Sequence, residues 1–171
     1  MNTLRTIFLG LHVAGGVLGL LVGPYSFHPP EAREYRLWLR RLYAVGIGVL
    51  AVFLVATVAV DWTSLAAAPR IVFTALIGLA AVIVTRLVLA FRLAARRSHG
   101  WQMPYVNHIY FTYIALWEGF FIVGLIDLGA PGWLVGMVAV GVLILGSLLV
   151  ANYKRGLGPE SRGRQPAGAL R

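Results

Sequence analysis

Five long apolar runs dominate this chain: residues 6–22, 42–60, 71–91, 105–126 and 132–152. A helix rises about 1.5 Å per residue, so each run is long enough to cross roughly the 30 Å hydrocarbon core of a bilayer. The other structure that satisfies backbone groups in lipid is a closed β-barrel, which requires alternating polar and apolar residues. These runs do not alternate. A soluble domain carries about 25% charged residues, whereas this chain has 12%, with 59% hydrophobic. The expected fold class is all-α: a polytopic membrane helix bundle with five transmembrane helices.

The punctuation of the runs agrees. Gly23-Pro24 ends the first and Asp61 the second, while Pro69, Pro104 and Pro131 precede the third, fourth and fifth. Proline is favoured in the first helical turn, where its missing N–H costs nothing. Arg5 followed by an apolar stretch also fits a secretory signal. Gly23-Pro24-Tyr25, however, lacks the small-x-small pair of a cleavage site, so the first run is read as a retained span.

Basic residues set the expected orientation. Twelve of the fifteen Lys and Arg lie in the first connection (Arg33, Arg36, Arg40, Arg41), the third (Arg92, Arg96, Arg97) and the C-terminal segment (Lys154, Arg155, Arg162, Arg164, Arg171). Those segments share one side of a five-span protein, and only Arg5 and Arg70 face the other. The positive-inside rule then puts the N-terminus outside and the C-terminus in the cytoplasm. Trp62 and Trp133 at the outer boundary, with Trp38 and Trp101 at the inner one, suit interfacial anchors. The net charge of +9 needs no nucleic acid; attraction to anionic inner-leaflet lipid accounts for it. Residues 1–153 form the expected bundle, and 154–171, rich in Gly, Pro, Ser and Arg, read as a disordered basic tail.

Ionisable groups inside spans are expensive and mark the sites worth weighing. There are four, His12, Arg86, His108 and Glu118, accompanied by Asn107. His12 shares a helix face, within about 40°, with Gly16, Gly19 and Gly23, and Gly15, Gly19 and Gly23 form a GxxxGxxxG series. Small residues at that spacing let helices approach closely, so His12 is expected on a packed face. There it is either a hydrogen-bonded contact between helices or a ligand or proton-relay group. On the fourth run Asn107, Phe111, Ile114 and Glu118 form one stripe, which either packs internally or lines a cavity. Counted from the span ends, His12 lies about 10 Å and Glu118 about 12 Å below the outer surface, so the two are expected to pair or to face one cavity. Arg86 either snorkels to the inner surface or joins Asn107 and His108, which share its depth.

Signatures of catalysis are missing. The chain has no H-E-x-x-H, G-x-S-x-G or G-x-x-x-x-G-K motif, and no acidic pair at metal spacing. Without cysteine it has no thiolate ligand or cysteine nucleophile. No catalytic residue, metal site or cofactor is expected. Haem held by two histidines needs imidazoles at one level, and His12 and His108 differ in depth by about 15 Å on the span count. Glu31 and Glu34 are expected to make local ion pairs with Arg33 and Arg36. An R-L-x-x-R-R spacing recurs at Arg36–Arg41 and Arg92–Arg97, but the flanking runs do not otherwise match.

Leu11-His12 through Gly23-Pro24, then Trp38-Leu39, Arg41 and Tyr43, and the later Asn107-His108 to Tyr113-Ile114-Ala115, resemble a bacterial group of multi-pass inner-membrane proteins of unknown function. Members of that group often show an early intramembrane histidine and an H-R-W-L-G-R-x-Y motif opening the second span. Here Arg36 and Arg40 stand where the group tends to have His and Gly. The resemblance implies an architecture, in the bacterial cytoplasmic membrane, and no activity. Three functions remain open on the residues: an accessory or structural subunit of a membrane assembly with a polar site at His12 and Glu118, a small proton-linked transporter, and a redox protein binding haem or quinone. Glycine faces, including Gly132 and Gly136 on the fifth run, would serve a protein partner or a second copy.

Overall fold

The computed structural model describes residues 3–27, 34–96 and 100–157. Five helices follow one another: α1 (Thr3–Val22), α2 (Glu34–Asp61), α3 (Ala67–Arg96), α4 (Gln102–Asp127) and α5 (Gly132–Leu157). A short 3-10 turn, Gly23–Ser26, extends α1. All five are long and apolar enough to cross a membrane. Each expected run lies inside its helix, and the helices continue beyond the apolar runs. α2 begins eight residues before 42, at Glu34, because Arg, Leu and Trp there are compatible with helix and no proline intervenes. α5 runs to Leu157, so residues 154–157, expected in the tail, are helical. Residues 158–171 lie outside the described residues, as do Glu31, Arg33 and Arg97.

Pro69 and Pro104 are each the third residue of their helix, and Pro131 immediately precedes α5, where its carbonyl accepts from the Leu134 N–H at 2.9 Å. At these places a helix has N–H groups without intrahelical partners, so proline breaks nothing. Three threonines in the apolar helices are satisfied locally. Thr57, Thr74 and Thr85 each donate to the carbonyl four residues back, at 2.7–2.8 Å.

The helices alternate in direction. One end of the bundle carries the 3-10 turn, the starts of α2 and α4 and the ends of α3 and α5; it is called here the basic end. At the opposite end an Arg5 Nε–Asp61 Oδ2 ion pair of 2.6 Å ties the start of α1 to the end of α2. α1 and α2 form the tightest pair. A Cβ on Gly15 would stand 2.7 Å from the Leu50 N and 2.8 Å from the Gly46 O, and one on Gly46 would stand 3.0 Å from the Gly15 O. Two backbones therefore touch, which only glycine permits at this distance. The GxxxG face of α1 is thus occupied within the chain by α2 and, at Gly19 and Gly23, by α4.

The core gathers toward the basic end, around Tyr43, Ile47, Tyr105, Val106 and Ile109, with Val22, Leu87, Ala90 and Leu116 packed alongside. α4 sits at its centre, touching α1, α3 and α5. α5 packs mainly on α4, through Gly146 against the Ile114 side chain, and exposes Trp133, Met137, Val140, Ile144 and Leu148.

Candidate functional site

The buried face of α4 is Tyr105, Ile109, Thr112 and Leu116, flanked by Val106 and Ala115. The polar stripe of Asn107, Phe111, Ile114 and Glu118 lies beside that face and is only partly buried. Apolar residues are spread evenly around α4, so no amphipathic pattern marks which face turns inward. Neighbouring glycines decide it instead. Gly19 admits Leu116 and Gly23 admits the ring of Tyr113, leaving Ile114 for Gly146 of α5.

The same contacts set the register and so the heights of the expected site residues. With Leu116 beside Gly19, Glu118 stands roughly 7–8 Å nearer the basic end than His12. The structure places no hydrogen bond between them. His12 Nδ1 instead donates to the Leu50 carbonyl of α2 at 2.8 Å, beside the Gly15–Gly46 crossing. Glu118 has no hydrogen-bond or ion-pair partner among the described residues. Counting from span ends set both residues at one depth. The real register follows side-chain fit between α1 and α4, which those ends do not report.

Arg86 and His108 do meet. Arg86 Nη1 approaches His108 Nδ1 at 3.4 Å, a long bond in which the guanidinium donates to a neutral imidazole. The same guanidinium lies 5.0 Å from the centre of the Phe111 ring, a cation–π distance. Asn107, one residue away, makes no side-chain hydrogen bond among the described residues. His12 and His108 belong to different helix pairs and lie roughly 22 Å apart along the bundle. Their positions therefore do not supply an axial pair to one haem.

The most completely buried polar group was not singled out by the sequence as a site. It lies at the basic end, where α1, α2 and α4 converge. The Tyr105 hydroxyl donates to the Ser26 carbonyl at 2.8 Å. The Tyr43 and Thr112 hydroxyls are 2.8 Å apart. Thr112 gives its proton to the Ile109 carbonyl at 2.7 Å, so Tyr43 is the donor between them. Tyr113 reaches the Leu20 carbonyl at 3.4 Å. Phe27 stacks on Tyr110 with ring centres 4.2 Å apart and meets Tyr113 edge-on at 5.0 Å. Arg40, 6% exposed, holds its guanidinium carbon 4.8 Å from the centre of the Tyr105 ring. Its sequence reading was orientation, as one of many basic residues next to a span. The signal for burial was present: Arg40, Tyr43 and Ile47 repeat at three and four residues and so share one face of α2 with Gly46 close by. Arg96, its counterpart in the R-L-x-x-R-R spacing, is exposed in the last turn of α3.

Among the described residues, no group of three His, Asp or Glu side chains is placed to hold a metal ion. No family model matches the chain, and no curated protein or solved structure is similar to it.

Proposed function

We propose that this chain is an integral protein of a bacterial cytoplasmic membrane, N-terminus outside and C-terminus cytoplasmic, acting as an accessory or structural subunit of a membrane assembly. One observation carries the subunit reading: the polar side chains within the apolar helices are largely spent on joining one helix to another. His12 bonds α2, Tyr43 bonds α4, Tyr105 bonds the turn after α1, and Arg86 meets α4. Polar groups used this way hold helices in place. The partner-facing surface under this reading is α5, which exposes apolar side chains along its length and carries Gly132 and Gly136 with open space at each Cβ position.

Purification in mild detergent, followed by mass spectrometry of what accompanies the chain, tests it. A stoichiometric protein partner is the expected result. A monodisperse protein without a partner that moves protons or solute in vesicles overturns it. Orientation is read separately, because the chain has no cysteine of its own. A single cysteine at Ser64 should react with an impermeant maleimide added to whole cells, and one at Gly100 only after permeabilisation.

A second reading, the small proton-linked transporter, is favoured by Glu118 alone, a partly buried carboxylate with no partner among the described residues. Replacing it by Gln should abolish proton-coupled uptake if that reading holds, and leave partner capture unchanged if it does not.

A further inference from the structure

Two buried polar atoms at the basic end lack hydrogen-bond partners: Arg40 Nη2 and Ser26 Oγ. Both belong to one group. Ser26, fully buried, accepts the Tyr105 hydroxyl on its carbonyl, and Arg40 lies against the ring of that same tyrosine. A third such atom, Arg70 Nε, lies at the opposite end, where the same guanidinium reaches the Thr63 carbonyl through Nη2 at 3.4 Å. A guanidinium stays charged in any protein interior, and a buried charge is costly unless paired. The ion pair found among the described residues, Arg5–Asp61, lies at the other end.

Both orphaned atoms can donate, and Arg40 can do nothing else. Their complement is an anion with several acceptor oxygens. The guanidinium fork matches two oxygens of one group, and a tetrahedral phosphate offers a further oxygen for the serine hydroxyl, which a planar carboxylate does not. Exposed Arg41, Arg92 and Arg96 stand at the same end of the bundle and raise the local potential for such a group. Exposed Trp38, three residues from Arg41, marks this end as the level of lipid headgroups if the chain spans a bilayer.

We infer that Arg40 Nη2 and Ser26 Oγ, gathered around Tyr105, form a binding site for a phosphate oxyanion at the basic end of the bundle. Arg40 supplies charge and the N–H donors of Nη2. Ser26 supplies a third donor from the turn after α1. Tyr105 holds both in place, its ring under the guanidinium and its hydroxyl on the serine carbonyl. The phosphate is either that of a phospholipid headgroup or free phosphate. Only the lipid source rests on the membrane reading proposed above.

The test uses the full chain, delipidated in a neutral maltoside detergent and phosphate-free buffer. It is titrated separately with short-chain phosphatidylglycerol and with inorganic phosphate, and binding is read by native mass spectrometry and by thermal shift. One saturable equivalent is expected for the wild type, weakened at least tenfold in Arg40→Gln and severalfold in Ser26→Ala. Ser26→Ala removes an oxygen with no internal partner and keeps the fold, so it decides the matter even if Arg40→Gln does not assemble. Saturation by lipid alone assigns the headgroup as the source, and saturation by inorganic phosphate as well assigns free phosphate; both support the site. Saturation by neither ligand overturns it, as does wild-type affinity in a folded Arg40→Gln or in Ser26→Ala. Loss of this site would leave the subunit reading standing, since partner capture is measured independently.

Discussion

Replacing Gly15 by Ala puts the central contact of the bundle to a direct trial. The added Cβ would stand 2.7 Å from the Leu50 N and 2.8 Å from the Gly46 O, both backbone atoms of α2 that cannot rotate away. An ordinary contact begins near 3.4 Å, so α1 and α2 must part by about 0.7 Å. That movement stretches the His12–Leu50 bond from 2.8 Å to about 3.5 Å, beyond a useful hydrogen bond. Overpacking costs about 1–3 kcal/mol. The interhelical bond adds about 0.6 kcal/mol on the scale measured in membrane bundles. The sum is a loss of about 2–4 kcal/mol, offset by less than 1 kcal/mol from the better helix propensity of Ala. Unfolding in mixed micelles, followed by circular dichroism against denaturing detergent, measures it. Gly10 and Gly48, which have open space at their Cβ positions, provide matched controls on α1 and α2. Their Ala variants should be unchanged or up to about 1 kcal/mol more stable. If Gly15→Ala proves as stable as Gly10→Ala, the close approach of α1 to α2 described here is refuted.

Other perturbations grade in size by what they touch. His12→Ala should cost about 0.5–1.5 kcal/mol and no more, because the Leu50 carbonyl keeps its helical partner; a larger loss in the same unfolding assay would mean that His12 does more than bridge two helices. Tyr43→Phe should cost a similar amount, since Thr112 still donates to Ile109, and combining it with Thr112→Val should cost less than the two singles together. Gly146→Ala meets the γ and δ carbons of the Ile114 side chain and no backbone; a β-branched side chain in a helix has essentially one χ1 rotamer, so the cost should fall within the range of about 1–3 kcal/mol for overpacking and loosen only α5, read as protease access to its C-terminal half. Asp61→Asn removes a half-exposed ion pair, so its effect should stay below about 1 kcal/mol and vanish at high salt.

What the sequence made legible, and what it hid, follow from the physics of apolar solvents. A hydrocarbon core demands apolar length, so all five helices can be located by eye, and proline marks their starts. Lipid does not demand one-sidedness, however. Tyr105, Ile109 and Thr112 face the core while equally apolar neighbours on α4 face outward, and composition does not distinguish them. Register was hidden for a related reason. Span ends mark where a helix leaves the apolar layer, whereas the fit of Leu116 to Gly19 and of Tyr113 to Gly23 decides which residues stand level. His12 and Glu118 were therefore expected at about one depth, to pair or to face one cavity, and stand about a turn and a half apart along the bundle. Arg40 shows the third difficulty: a basic residue next to a span reads as an orientation signal whether its side chain points to water or, as here, into the core.

The polar contacts at the basic end also carry a clock. They join residues 69, 79 and 93 positions apart, because α4 supplies the second partner each time. At about 5–20 residues per second of synthesis, the Tyr43 hydroxyl is made roughly 3–14 s before the threonine it will bond. The α1–α2 pair, with its backbone crossing already available, can close at once. Its tyrosine and the serine carbonyl of the following turn must wait for the fourth helix. Until α4 is made, the Tyr43 hydroxyl and the Ser26 carbonyl lack the partners that they have in the finished bundle. A chain stopped before α4 should therefore hold a sound hairpin with an open, hydrated end, and should be recognised by membrane quality control as unfinished.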